Sequence, residues 1–279
     1  MMRALLHKLR YPQRCYVICA VPRCGSNLLS DGLTAMQKAG RPKQYFLPEF
    51  EERYGEKYGL DPAKDYAGYV RGIVRATSAR NNVFGFKLMG SYLQKFLVQL
   101  RATGAFGGAG TSDLELLNEA FPRLRFVRIF RGDKLRQAIS KARAMQTGVW
   151  KIAGGKQTAG HARFDAQLIT RCLRDGERQE AIWSRFFTAG RLSPFTVEYE
   201  TLCRAYSDTL QQVLDFLGIS SVPNTATGAP TTVRQADDVS EQWYMRYRDS
   251  LANGGAWSVV TFVLQFWLDA IDLTALLPC

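Results

Sequence analysis

Arg23, Cys24, Gly25, Ser26 and Asn27 occupy five consecutive positions just after a seven-residue apolar run, residues 15–21, that is broken by Pro22. Their types and order suit an oxyanion. A strand that ends in a tight turn at a helix N-terminus presents free backbone N–H groups, and the helix dipole adds to their pull on negative charge. Gly25 lets the backbone come close, Ser26 and Asn27 either cap the helix or donate to phosphate oxygens, and Arg23 supplies a fixed positive charge. Alone, the pattern equally fits a plain strand-to-helix turn with an N-cap serine. Two phosphate chemistries are excluded. There is no G-x-x-x-x-G-K-S/T loop. Nor is there a Cys-x5-Arg nucleophile, since Val21, Gly25 and Ser30 stand six positions after Cys15, Cys19 and Cys24.

A second basic element follows later. Arg131 ends an apolar run, and Ser140 comes nine residues on, among Lys134, Arg136, Lys141 and Arg143. It reads either as a second phosphate clamp or as a solvated basic helix face. Two anion sites at the carboxyl ends of parallel strands suit a bis-phosphorylated nucleotide, because ligands of open α/β sheets bind along that edge.

The elements that must position these residues are legible as patterns. Runs 15–21, 83–89, 125–130 and 195–199 read as strands, the first buried on both faces. Helical patterns cover about 27–39, 134–145, 164–189 and 201–217, the last closed by Gly218. Residues 40–66 read as loop with a short helix, and the Gly-rich stretch 104–110 as a surface loop. Strands separated by helices predict an α/β fold with a largely parallel sheet. At 46% hydrophobic and 22% charged residues, the 279-residue chain has an ordinary globular composition, which argues against global disorder. Six cysteines without a C-x-x-C pair argue against a disulfide scaffold. With two histidines, His7 and His161, neither zinc-ligand spacing nor a histidine triad is expected, so no metal site is predicted. The run 15–21 has no small-residue cleavage site after it and reads as a strand, so the expected location is cytoplasmic. The net charge of +12 favours an anionic partner: a nucleotide, an anionic glycan, nucleic acid or a membrane surface.

Four segments in order resemble the bacterial carbohydrate sulfotransferase family typified by trehalose 2-sulfotransferase. They are residues 16–29, Gly85-Phe86-Lys87-Leu88-Met89, residues 130–150 with Gln146-Thr147-Gly148-Val149-Trp150, and Arg234-Gln235-Ala236-Asp237 followed by Trp243 and Arg246-Tyr247-Arg248. The resemblance covers about residues 14–250. It implies a P-loop-type three-layer α/β fold with a mainly parallel central sheet flanked by helices. It also implies 3′-phosphoadenosine 5′-phosphosulfate as sulfuryl donor and a carbohydrate or glycolipid hydroxyl as acceptor. On it, Arg23, Cys24, Gly25, Ser26 and Asn27 hold the 5′-phosphosulfate, Arg131 and Ser140 the 3′-phosphate, and Arg234 closes over the donor. Sulfuryl transfer is an in-line displacement like phosphoryl transfer, and Arg23 and Lys87 are the cations that would stabilise the moving group without a metal. Lys87 could instead serve as the structural partner of a buried carboxylate.

One departure bears on the chemistry. The family carries a glutamate, its proposed general base, in a Gly-x-Pro-x-Glu-aromatic-Phe stretch. Here that stretch is Gly40-Arg41-Pro42-Lys43-Gln44-Tyr45-Phe46, with Gln44 at the glutamate position. An amide hydrogen-bonds a hydroxyl but does not accept its proton at neutral pH. Three readings stay open. Glu49 supplies the carboxylate from the same loop, the chain binds nucleotide without turnover, or another group such as His161 acts. A nucleic-acid-binding protein is the rival outside the family, motivated by the charge alone. Residues 1–250 are expected to form the sulfotransferase-like domain and 251–279 an amphipathic helical tail, with Ser258, Thr261, Gln265, Asp269 and Asp272 on one narrow stripe. Packing on the domain or on a second subunit of a homodimer is the first expectation for the tail. Peripheral membrane contact is the second, although the tail lacks a basic face.

Overall fold

The computed structural model describes residues 11–12, 14–108, 110–150, 162–219 and 238–253. In chain order the elements are β1 (Arg14–Ala20), α1 (Ser26–Ala35), α2 (Pro48–Tyr58), α3 (Tyr66–Thr77), β2 (Val83–Met89), α4 (Gly90–Ala102), α5 (Asp113–Ala120), β3 (Leu124–Phe130), α6 (Lys134–Thr147), α7 (Ala166–Ala189), β4 (Phe195–Glu198), α8 (Tyr199–Arg204), α9 (Tyr206–Leu217) and α10 (Asp238–Asn253). The four strands form one sheet in the order β2-β1-β3-β4, and every pairing is parallel. All four carboxyl ends therefore open on one edge.

Strand β1 is central and buried on both faces because its alternate residues serve two different cores. Cys15, Val17 and Cys19 join Phe84, Phe86, Phe96, Phe121 and Trp183 on one face. Tyr16, Ile18 and Ala20 join Leu29, Leu33, Val127, Ile129 and Leu214 on the other. Helices thus cover both faces, and the continuous apolar run in β1 is what burial on two sides requires. A smaller third core joins α6, α7 and α10 through Ile139, Ala142, Ile169, Trp243 and Tyr247.

All four predicted strands are present, to within a residue at either end. The helices differ more. The first stops at Ala35, because Gln37 and Gly40 take left-handed φ values of 57° and 72° and turn the chain back toward β2. Residues 40–66 are less loop-like than expected, since α2 takes up 11 of them. Helices α3, α4 and α5 were not anticipated. The segment 201–217 is two helices, broken at Ala205 (φ −128°, ψ 59°). No Gly or Pro marks that break. It follows from tertiary contacts, with Leu202 fully buried on one side of it and the Tyr206 hydroxyl directed at the Leu28 carbonyl, 3.5 Å away, on the other.

Candidate functional site

The turn between β1 and α1 is built by internal hydrogen bonds. The Cys24 N–H donates to the Val21 carbonyl at 3.2 Å. From outside, Gln137 Nε2 donates to the Pro22 carbonyl at 2.9 Å and Trp183 Nε1 to the Ala20 carbonyl at 3.1 Å. The N-cap is Gly25, left-handed at φ 90° and without a side-chain cap, so Ser26 and Asn27 fall inside the first helical turn. Gly25 is needed here twice over. Its φ is the one that favours glycine, and a Cβ would lie 2.3 Å from Tyr199 Cδ2. The Cys24 side chain is fully buried, and burial pushes its thiol above the ordinary range. Cys24 thus seats the turn from beneath. The N–H groups at the start of α1 have no acceptor within the helix and are available to an anion.

Two guanidinium groups converge beside this turn. Arg23, itself at φ 67°, donates from Nε to Ser140 Oγ at 2.9 Å and from Nη1 to the Trp150 carbonyl. Arg131, only 8% exposed, leaves the end of β3 and lies over the Tyr199 ring, 4.8 Å from its centroid. Glu200 is close, but 3.8 Å from Arg131 Nε is too far for a hydrogen bond. Its carboxylate instead accepts the N–H groups of Gly132 at 2.9 Å and Asp133 at 3.3 Å. Arg131 Nε is therefore buried with no hydrogen-bond partner. Arg23 feels the same crowding. Burial first, and then the positive charge of Arg131, pull its guanidinium down to about 10. Two neighbouring guanidinium groups that repel each other, Arg131 buried with an unused donor and Arg23 half-buried, form a site that an anion would relieve.

The other basic residues of α6 are neither part of that clamp nor a solvated face. Lys134 pairs with Glu180 and Lys141 with Asp175. Arg136 pairs with Asp133 and Glu241, each at 2.6 Å, and Arg143 donates to the Ser240 hydroxyl. These cations tie α6 to α7 and α10.

At the end of β2, Lys87 is 4% exposed and donates to the Asn27 side-chain oxygen, which brings it to the first turn of α1. The segment after Gly40 docks along β2. The Lys43 carbonyl accepts the Lys87 N–H at 2.9 Å, Ser30 donates to the Pro42 carbonyl, and Lys43 pairs with Asp31 at 2.9 Å. Gln44, half-buried, is the next residue after that docking point, and Tyr45 and Phe46 then enter the core. Glu49 is exposed in the first turn of α2 and accepts the Tyr92 hydroxyl at 2.7 Å. Arg23, Gly25, Ser26, Asn27, Lys87, Arg131 and Ser140 thus gather on one sheet edge, with Gln44 and Glu49 on the segment docked beside them. Arg234 and His161 lie outside the described residues. Sequence reasoning missed Tyr199, Glu200, Gln137 and Tyr92, because none belongs to a spacing pattern. Only their position just after a strand or inside the Arg131–Ser140 segment hinted at them.

Among the described residues, no group of three His, Cys, Asp or Glu side chains is placed to hold a metal, and no helix is long and apolar enough to cross a membrane. A family model described as Stf0 sulphotransferase matches residues 15–250. A trehalose 2-sulfotransferase of Mycobacterium tuberculosis is 31% identical over 258 residues, covering 84% of this chain and 94% of that protein. Another, from Mycolicibacterium smegmatis, is 29% identical over 267 residues, with 86% and 96% covered. Among solved structures, the sulfotransferase domain from the curacin biosynthetic pathway aligns at 16% identity, covering 77% of this chain and 76% of that one with a TM-score of 0.44.

Proposed function

This chain belongs to the Stf0 sulfotransferase family, and we propose that it moves a sulfuryl group from 3′-phosphoadenosine 5′-phosphosulfate to a carbohydrate hydroxyl. The observation that carries the donor assignment is the Arg23–Arg131 pair beside a helix N-terminus, with Arg131 buried and its Nε unpartnered. The donor brings an activated sulfuryl group and two anionic ends, and the residues present fit both. The N–H groups of Gly25, Ser26 and Asn27 would hold the 5′-phosphosulfate. Arg131 and Ser140 would hold the 3′-phosphate. Arg23, bonded to Ser140 and set in the turn, reaches between the two. Lys87, placed beside Asn27, would put its charge where negative charge develops on the bridging oxygen. Arg234 is carried over only by resemblance as a residue closing over the donor.

For the acceptor, the two relatives are named for trehalose. A trehalose-like disaccharide, free or on a glycolipid, is the acceptor class we propose. With a glycolipid, residues 251–279 would give peripheral membrane contact; residues 254–279 lie outside the described residues. A second reading, a nucleotide-binding relative without turnover, is favoured by Gln44 alone. Incubation with sulfur-labelled donor and a panel of mono- and disaccharides tests the proposal. A sulfated disaccharide is the expected product. Donor binding with no sulfated sugar from the whole panel would sink the acceptor class.

A further inference from the structure

We propose that Glu49, held by the Tyr92 hydroxyl, is the general base of this chain and replaces the carboxylate that Gln44 removes. The inference rests on the sulfotransferase reading and deepens it.

The geometry at the end of β2 carries it. Lys87 is fixed at the site by Asn27, and its own N–H is tied to the Lys43 carbonyl. Gln44 and Glu49 stand one and six residues beyond that tie, on the segment that docks along β2 and then enters α2. Tyr92 stands in the first turn of α4, directly after the same strand. It packs against both cores at once, the one beneath β2 and the one that contains Cys24, Leu28 and Met89 beneath the anion turn. Its hydroxyl thereby ties Glu49 to the edge that holds Lys87.

Three neighbouring carboxylates are committed elsewhere. Asp31 pairs with Lys43. Glu51 is buried and accepts the Tyr66 hydroxyl at 2.9 Å. Glu200 accepts two backbone N–H groups beside Arg131. Glu49 is exposed and accepts a hydrogen bond from a neutral phenol, so it keeps acceptor capacity for a substrate hydroxyl. The Tyr92 phenol, pushed up to about 12 chiefly by that bond, remains a donor at neutral pH.

The step balances. The acceptor oxygen forms a bond to sulfur as the bond from sulfur to the 5′-phosphate oxygen breaks, and the electron pair leaves on 3′,5′-adenosine bisphosphate. Glu49 takes the hydroxyl proton and releases it to water after product departs. Gln44, placed between the docking point and the aromatic anchors Tyr45 and Phe46, remains able to orient the hydroxyl through its amide. Tyr92 is a positioning residue: it acts through Glu49.

The test combines turnover with donor-site binding in the full chain, read with 3′,5′-adenosine bisphosphate as the binding probe and trehalose plus a disaccharide panel as acceptors. E49Q is expected to lower kcat by at least about 100-fold, the usual worth of general-base catalysis, with bisphosphate affinity unchanged. Y92F is expected to lower kcat by about 5–10-fold without raising the donor KM, a smaller share of the same general-base contribution. The double variant E49Q/Q44E is expected to regain turnover, which a merely structural loss at Glu49 would not allow. Full activity in E49Q overturns the proposal. So does a native chain that binds the bisphosphate and transfers to no sugar while Q44E does transfer, because the native chain then lacks a working base. A native chain that does not bind the bisphosphate marks failure of the sulfotransferase reading itself.

Discussion

Helix α6 separates two sets of cations that differ in what faces them. On its outer side Lys134, Arg136 and Lys141 each oppose a carboxylate of α7, α10 or the helix's own N-cap. Toward the turn, Ser140 meets Arg23, whose partners among the described residues are a hydroxyl and a carbonyl, and Arg131 lies next to it, 3.8 Å from the Glu200 carboxylate and with its Nε making no hydrogen bond. Arg131 and the matched set come from the same stretch of basic sequence, whereas Arg23 comes from the turn after β1. The matched set ties α6 to α7 and α10 around the third core; the other set, on the proposed reading, is completed by an anion. The net charge of +12 therefore says less about function than the local pairing does.

The contrast breaks most visibly if both unmatched cations are removed. R23M/R131M keeps the apolar stems and is expected to abolish bisphosphate binding, each charge-assisted contact being worth about 1.5–3 kcal/mol. Without ligand the variant should melt no lower than the native chain, because repulsion is relieved. A melting point several degrees lower would show that the pair is structural. Next in size is Gly25→Ala. The left-handed φ and the approach to the Tyr199 ring predict a loss of about 2 kcal/mol in denaturant titration. Native-like stability would mean that the turn is looser than its geometry. The smallest effect lies in the matched set. Lys141→Met should cost about 1–2 kcal/mol, between the values for exposed and buried pairs, and leave bisphosphate affinity intact.

That pair also has a pH signature. Burial opposes ionisation of Asp175, but the Lys141 hydrogen bond and charge outweigh it and hold the carboxyl below its usual 3.8. A carboxyl lowered on folding stabilises the folded state above its unfolded value, and the stabilisation fades as pH falls through the lowered one. Native and Lys141→Met stabilities, measured by denaturant titration across that range, should therefore converge in acid. A constant gap would assign the loss to packing.

The strand β1, its turn and the Arg131–Ser140 segment were legible because their signals are local: an apolar run, a Gly–Ser step, an arginine at a strand end. The pairing that separates the two sets was not, since Lys141, Lys134 and Arg136 meet acids 34, 46 and 105 residues away. The need for glycine at 25 comes from Tyr199, equally remote in sequence. The break at Ala205 gave no warning, because alanine is the best helix former. By contrast, α3 and α5 carried readable caps, Asp65 before one and the Ser112–Glu115 capping box at the other, and could have been found. Gln44 was legible as a departure, but the Tyr92–Glu49 contact, on which the proposed replacement rests, joins residues 43 positions apart.

The central claim, that Arg131 marks the 3′-phosphate end of the donor site, is tested most directly by titrating 3′,5′-adenosine bisphosphate against adenosine 5′-monophosphate. The comparison is run calorimetrically on the native chain and on R131M. The native chain should prefer the bisphosphate by about 10–100-fold, a charge-assisted contact's worth, and R131M should lose that preference while keeping its affinity for the monophosphate. Equal weakening of both ligands, or an unchanged preference, would contradict the account.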